Sequence, residues 1–141
     1  MSSESLSAEE IAEHQLLAAL RMWREEDYLC AITLSGAAEE ILGKRLRKIN
    51  KQPAIDSFKK AIEALAELEG ESLDHKSKKL SHDLLNQTKN ELKHYDGDQV
   101  LDFDLKADAE EMIDRAIYNY HSLTNSITSE MIEFFGDVSD S

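Results

Sequence analysis

The chain has 141 residues, 41% apolar and 32% charged, with one cysteine, one proline and a formal net charge of -13. That length fits one domain, and a fold of this size buries roughly 70% of its unfolded surface, so neither a disulfide framework nor a structural metal is needed. The apolar share excludes a disordered chain, no stretch approaches the ~20 apolar residues of a membrane span, and the acidic sum opposes long-range attraction to nucleic acid.

The lone Cys30 has no partner for an internal bridge, which suits a reducing compartment. Met1-Ser2-Ser3-Glu4 has neither a basic start nor an apolar run, so it does not read as a signal peptide. A cytoplasmic protein is the expectation, with no cofactor and no membrane contact.

Taken in chain order, residues 1–6 read as a disordered N-terminus. Ser7 followed by Glu10 has the spacing of a capping box, so a helix is predicted to start there, with Ile11, Leu16, Leu20 and Trp23 on its apolar side. Arg24-Glu25-Glu26-Asp27 reads as a turn. A second helix is predicted from about Tyr28 to Ile49, with Leu29, Ile32, Leu34, Ala38, Ile41, Leu42, Leu46 and Ile49 apolar. Gly36 sits inside it at a cost of about 1 kcal/mol against alanine, which close approach of another helix would offset. Pro53 makes 50–53 a loop. A helix over about 54–69 follows, with Ile55, Phe58, Ile62, Leu65 and Leu68 inward and Gly70 as its stop. Another runs from 72–75 to 94–95, and Asp96-Gly97-Asp98 is the next turn. Asp104 is placed to cap a last helix, whose apolar positions run from Leu105 to Met131 with a bend or interruption between Ser122 and Ser129. The tail 136–141 is expected to fray. Only 99–103 has mild strand character, too short to build a sheet. The predicted fold is all-α, a four- to five-helix up-and-down bundle occupying 7–135 as a single domain.

Charge is unevenly spread. Residues 1–43 carry -7, residues 44–94 carry +4 and residues 95–141 carry -10, which add to -13. Lys44, Arg45, Arg47, Lys48 and Lys51 form the densest basic stretch. They are candidate RNA or phosphate contacts, but no aromatic residue interleaves with them as a stacking platform would, and cations at a helix end also complement its carbonyl dipole. The solvated helix end is the favoured reading.

Few arrangements point to catalysis. Glu91 and His94 make one Glu-x-x-His pair, and a di-iron bundle needs two, so no metal is expected. Gly36 and Gly43 lie in a helical pattern, far from any strand, which is not a phosphate loop. Cys30, within an apolar segment, is expected to fill the core. His14, His75, His82 and His121 show no repeated ligand spacing.

Lys89-Asn90-Glu91-Leu92-Lys93-His94 remains. If Leu92 marks the core direction, Asn90 and His94, four apart, share a face nearly opposite it. Asp83, Asn86 or Gln87, Asn90 and His94 then form an outward polar stripe flanked by Lys89 and Lys93. A proton-exchanging imidazole, an orienting amide and a phosphate-compensating ammonium are the parts needed for metal-free attack of an RNA 2′-hydroxyl on its phosphate. They are equally the residues of an exposed helix, which composition alone favours.

This segment resembles the signature of the HEPN superfamily: an arginine, usually followed by a polar residue, with a histidine four to six residues beyond it. Ala31-Ile32-Thr33-Leu34-Ser35-Gly36-Ala37-Ala38-Glu39-Glu40-Ile41-Leu42-Gly43 and Arg115-Ala116-Ile117-Tyr118-Asn119-Tyr120 also resemble bacterial HEPN-like proteins of this size. The resemblance covers roughly residues 9–125 in element order. It implies a helical bundle that forms a homodimer, with His94 as the catalytic histidine of active, metal-independent endoribonucleases of the toxin or defence type, and Asn90 as its polar companion. Lys89 stands where the arginine belongs. Arginine grips phosphate with a planar fork and lysine with a point charge on a flexible stem. The departure favours a non-catalytic module that binds a nucleotide, RNA or a partner protein. The tyrosine that some members carry two residues after the histidine is replaced here by Asp96.

Overall fold

A computed structural model describes residues 3–57 and 104–139, together with residues 60, 64, 92 and 97. Among the described residues four helices have defined bounds, α1 (Ala8–Arg24), α2 (Tyr28–Lys48), α3 (Leu105–Thr124) and α4 (Ser129–Ser139), and there is no strand. Of the helix expected over 54–69, positions 54–57, 60 and 64 are described and all are helical. The rest of it, and all of the helix expected to end at 94–95 except Leu92, lie outside the described residues.

The helix boundaries follow local chemistry. The Ser7 hydroxyl accepts from the Glu10 N–H at 3.1 Å and the Glu10 carboxylate accepts from the Ser7 N–H at 3.3 Å, which together satisfy two of the end donors of α1. Glu26 takes a left-handed backbone (φ 62°) and closes the turn, after which Asp27 caps α2 by accepting from Cys30 N–H at 3.1 Å. Asp104 caps α3 through the Ala107 N–H. Asn125, also left-handed, ends α3 by donating to His121 carbonyl, and Thr128 accepts from Met131 N–H to open α4. Gly97 has φ +91°, which fits the turn expected at 96–98.

α2 lies at the centre, packed against α1 on one side and α3 on the other. Glu9 near the start of α1 reaches Arg45 near the end of α2, so those two helices run antiparallel. Glu39 meets Arg115 and Gly43 lies beside Asn119, so α2 and α3 run in the same direction. The core is formed by Ala12, Leu16, Ala19 and Leu20 of α1, Ala31, Ile32, Ala38 and Leu42 of α2, and Ala109, Ile113, Ala116 and Ile117 of α3. Small alanines on each helix let the axes approach while leucine and isoleucine fill the gaps.

α4 docks on α1. Phe134 meets Trp23 edge to face with centroids 4.9 Å apart, Met131 is buried beside it, and Arg24 pairs with Asp137 at 2.8 Å and Glu133 at 3.4 Å. Helical structure continues through Gly136 to Ser139, where the sequence suggested fraying, because Val138 packs against the core one turn beyond Phe134.

Several apolar side chains expected inside are exposed: Ile11, Leu29, Ile49 and Ile127. The first three stand close to helix ends, where no neighbouring helix covers them, and Ile127 lies in the break between α3 and α4. Cys30 corrects the sequence reading in the same way. It is exposed in the first turn of α2, while its neighbours Ala31 and Ile32 take the buried positions.

Candidate functional site

The four signature residues Lys89, Asn90, Lys93 and His94 lie outside the described residues. Leu92, between them in sequence, is described. It is half-buried and packs against the core, as expected for the residue marking the inward direction. Leu92 also lines a cleft of about 350 Å³ with Thr33, Gly36, Ala37, Glu40, Ile41 and Lys44 of α2. The buried Gly36 and the half-buried Ala37 form part of the α2 wall of this cleft.

The basic stretch is largely neutralised by the chain's own carboxylates. Lys44 pairs with Glu40 at 3.3 Å, Arg45 with Glu9 at 3.1 Å and Arg47 with Asp56 at 3.2 Å, while Lys48 is exposed and meets no carboxylate among the described residues. Lys51 donates to the Ser122 carbonyl at the end of α3. A backbone hydrogen bond, followed by the hydrogen bond from Arg45, holds the Glu9 carboxyl below its ordinary range. These are exposed pairs of modest strength, each worth about 0–1 kcal/mol, yet a polyanion would have to displace a carboxylate at three of the five positions.

A polar cluster that the sequence did not reveal lies in the seam between α2 and α3. Arg115 donates to Glu39 at 3.2 Å, and their side chains are only 1% and 5% exposed. Asn119, one turn along α3, donates to the Glu39 carbonyl at 3.3 Å and accepts from Ala54 N–H at 2.8 Å. Ser35 satisfies its buried hydroxyl by donating to Ala31 carbonyl. The cluster therefore ties α2, α3 and the start of the helical segment 54–57 into one unit. A guanidinium held dry against its own carboxylate is positioned to fix helices, not to meet a substrate. The signal available in sequence was the i, i+4 pair Arg115 and Asn119 interrupting the apolar side of α3.

Among the described residues, the remaining titratable groups do not form a reaction centre. The Asp27 hydrogen bond is the main influence raising the Cys30 thiol above its usual range, the opposite of an activated nucleophile. Desolvation first, and then the hydrogen bond to Glu13 (3.0 Å), raise the Tyr120 phenol. The exposed His121 contacts the Ser126 carbonyl through Nδ1 at 3.2 Å, and His14 is exposed on α1. Among the described residues no group of three or more histidine, cysteine, aspartate or glutamate side chains could hold a metal ion, and no helix is long and apolar enough to cross a membrane.

No family model, curated protein or solved structure matches this chain.

Proposed function

We propose that this chain is a HEPN-like helical bundle that acts as a homodimeric interaction module, binding a partner or nucleotide without cutting RNA. The observation that carries this reading is the internal pairing of the basic stretch: Lys44, Arg45 and Arg47 each already face a carboxylate of the same chain. With lysine at position 89, the planar arginine fork that grips phosphate is replaced by a point charge on a flexible stem. The two resembling stretches 31–43 and 115–120 also meet directly, through Arg115 and Asn119 on Glu39, so they act as one structural unit.

The second reading is a metal-independent endoribonuclease, favoured by the presence of Asn90 and His94 at the signature spacing. Incubating RNA with the protein in EDTA separates the two. The module leaves RNA intact, and His94→Ala changes nothing. Cleavage that disappears in His94→Ala overturns the module, and cleavage that rises in Lys89→Arg identifies the arginine fork as the missing part. Light scattering tests the dimer: a monomer mass at high protein concentration contradicts it.

A further inference from the structure

The short break between α3 and α4 is tied firmly to α3 on one side and to α4 on the other. The Thr124 hydroxyl donates to the Tyr120 carbonyl at 2.8 Å and accepts from Ser126 N–H at 3.1 Å, and His121 Nδ1 meets the Ser126 carbonyl at 3.2 Å. The ties to α4 begin at Thr128, whose hydroxyl accepts from Met131 N–H and whose carbonyl accepts from Ile132 N–H. Ile127 stands between the two sets and is exposed. A backbone rotation at this one residue therefore swings α4 without disturbing the end of α3.

α4 is also lightly anchored for its length. Two of its eleven residues, Met131 and Phe134, are buried, with Val138 partly so, against eight of twenty in α3 and nine of twenty-one in α2. Burying two large side chains gains free energy of the same order as the conformational freedom that the helix loses on docking. Two local contacts tip that balance. Phe134 meets the Trp23 ring edge to face, and the Arg24 guanidinium reaches Asp137 at 2.8 Å and Glu133 at 3.4 Å. Glu133 and Asp137, four residues apart, share one side of α4, so a single fork spans both. All three charged side chains are exposed, which leaves this fork weak and sensitive to salt.

We propose that α4 releases from α1 as one unit while α1, α2 and α3 stay folded, turning at Ile127 and latched by Arg24. Closed, α4 holds Phe134 on Trp23. Open, it bares that indole together with Met131 and Phe134, an apolar surface that the closed molecule lacks. The two contacts govern release differently: the aromatic pair acts at any salt concentration, the guanidinium fork chiefly at low ionic strength.

Residue-resolved native-state amide exchange on the full chain tests this. In the wild type, amides 133–138 should exchange at least about tenfold faster than those of 31–46 and 109–120, after correction for intrinsic rates, and should share one opening constant. Arg24→Gln should speed 133–138 a few-fold and Phe134→Ala at least about tenfold, both leaving 31–46 within about twofold of the wild type. Raising salt from about 0.05 M to about 1 M should speed 133–138 in the wild type and leave Arg24→Gln unchanged. A wild-type difference under tenfold, or variants that accelerate 31–46 as much as 133–138, overturns the proposal, because α4 then opens only with the whole molecule. Rates graded inward from Ser139 and unmoved by Arg24→Gln overturn it as well, since they report a fraying end.

Discussion

The two faces of α3 treat charge in opposite ways. Inward, Arg115 is almost fully buried, paired with Glu39 and flanked by Asn119, whose amide serves two backbone groups at once. Outward, Glu111 and Asp114 stand beside Tyr118 with no cation of the described chain near enough to pair. The basic end of α2 resembles the inner face in this respect: its cations look available in the sequence, yet Glu9, Glu40 and Asp56 already occupy three of them. Net charge therefore says little about which charges a partner can use. Availability depends on where the folded chain places their counter-charges.

The comparison is broken most forcefully from the inside. Arg115→Ala removes the guanidinium that meets the buried Glu39 and should cost about 3–5 kcal/mol in urea unfolding, while Arg115→Met combined with Glu39→Gln should recover part of that loss. A cost below about 1 kcal/mol would mean that the seam is not what joins α2 to α3. Asn119→Ala removes the acceptor of a buried N–H and should cost about 1–3 kcal/mol by the same measurement. At the basic end of α2, Arg45→Gln and Arg47→Gln should each cost under about 1 kcal/mol, as exposed pairs do.

Outward changes should barely register in stability. Glu111→Gln/Asp114→Asn should fall within about 0.5 kcal/mol of the wild type at neutral pH. Asp114 also carries a signed pH dependence. Desolvation raises its carboxyl in the folded state above the ordinary 3.8, so its stabilising contribution is fully present below the unfolded value and is lost as pH rises through the folded one. Relative to Asp114→Asn, the wild type should therefore lose stability as pH climbs from about 3 through the window just above 3.8. A gain over that window would contradict the desolvated environment assigned to this side chain.

What the sequence disclosed was chiefly local. Ser7 with Glu10 and Asp104 with Ala107 mark helix starts because the interactions span three residues. The interruption expected between Ser122 and Ser129 occurs at Asn125 for a similarly local reason, its left-handed backbone. Helical periodicity placed Leu16, Leu20, Ile32, Leu42 and most of the α3 stripe in the core. It misplaced Ile11, Leu29 and Ile49, since periodicity gives a direction but not whether a neighbouring helix extends far enough to cover it. Cys30 illustrates the same gap one residue from a buried alanine. The polar seam was hidden for another reason: Arg115 and Glu39 are 76 residues apart, and nothing in either segment alone announces that they meet. Arg45 and Glu9, 36 residues apart, escaped notice in the same way, which is why the basic stretch looked more available in sequence than it is in the fold. Lys89, Asn90, Lys93 and His94 were singled out by their helical spacing and by resemblance, and they lie outside the described residues.

Residue-resolved nuclear magnetic resonance on the isotope-labelled protein tests the internal pairing of the basic stretch most directly, with a single-stranded RNA oligonucleotide added in steps. Little response is expected at Lys44–Lys48, because Lys44, Arg45 and Arg47 already face carboxylates of the same chain. Shifts from RNA concentrated at 44–48 would contradict it.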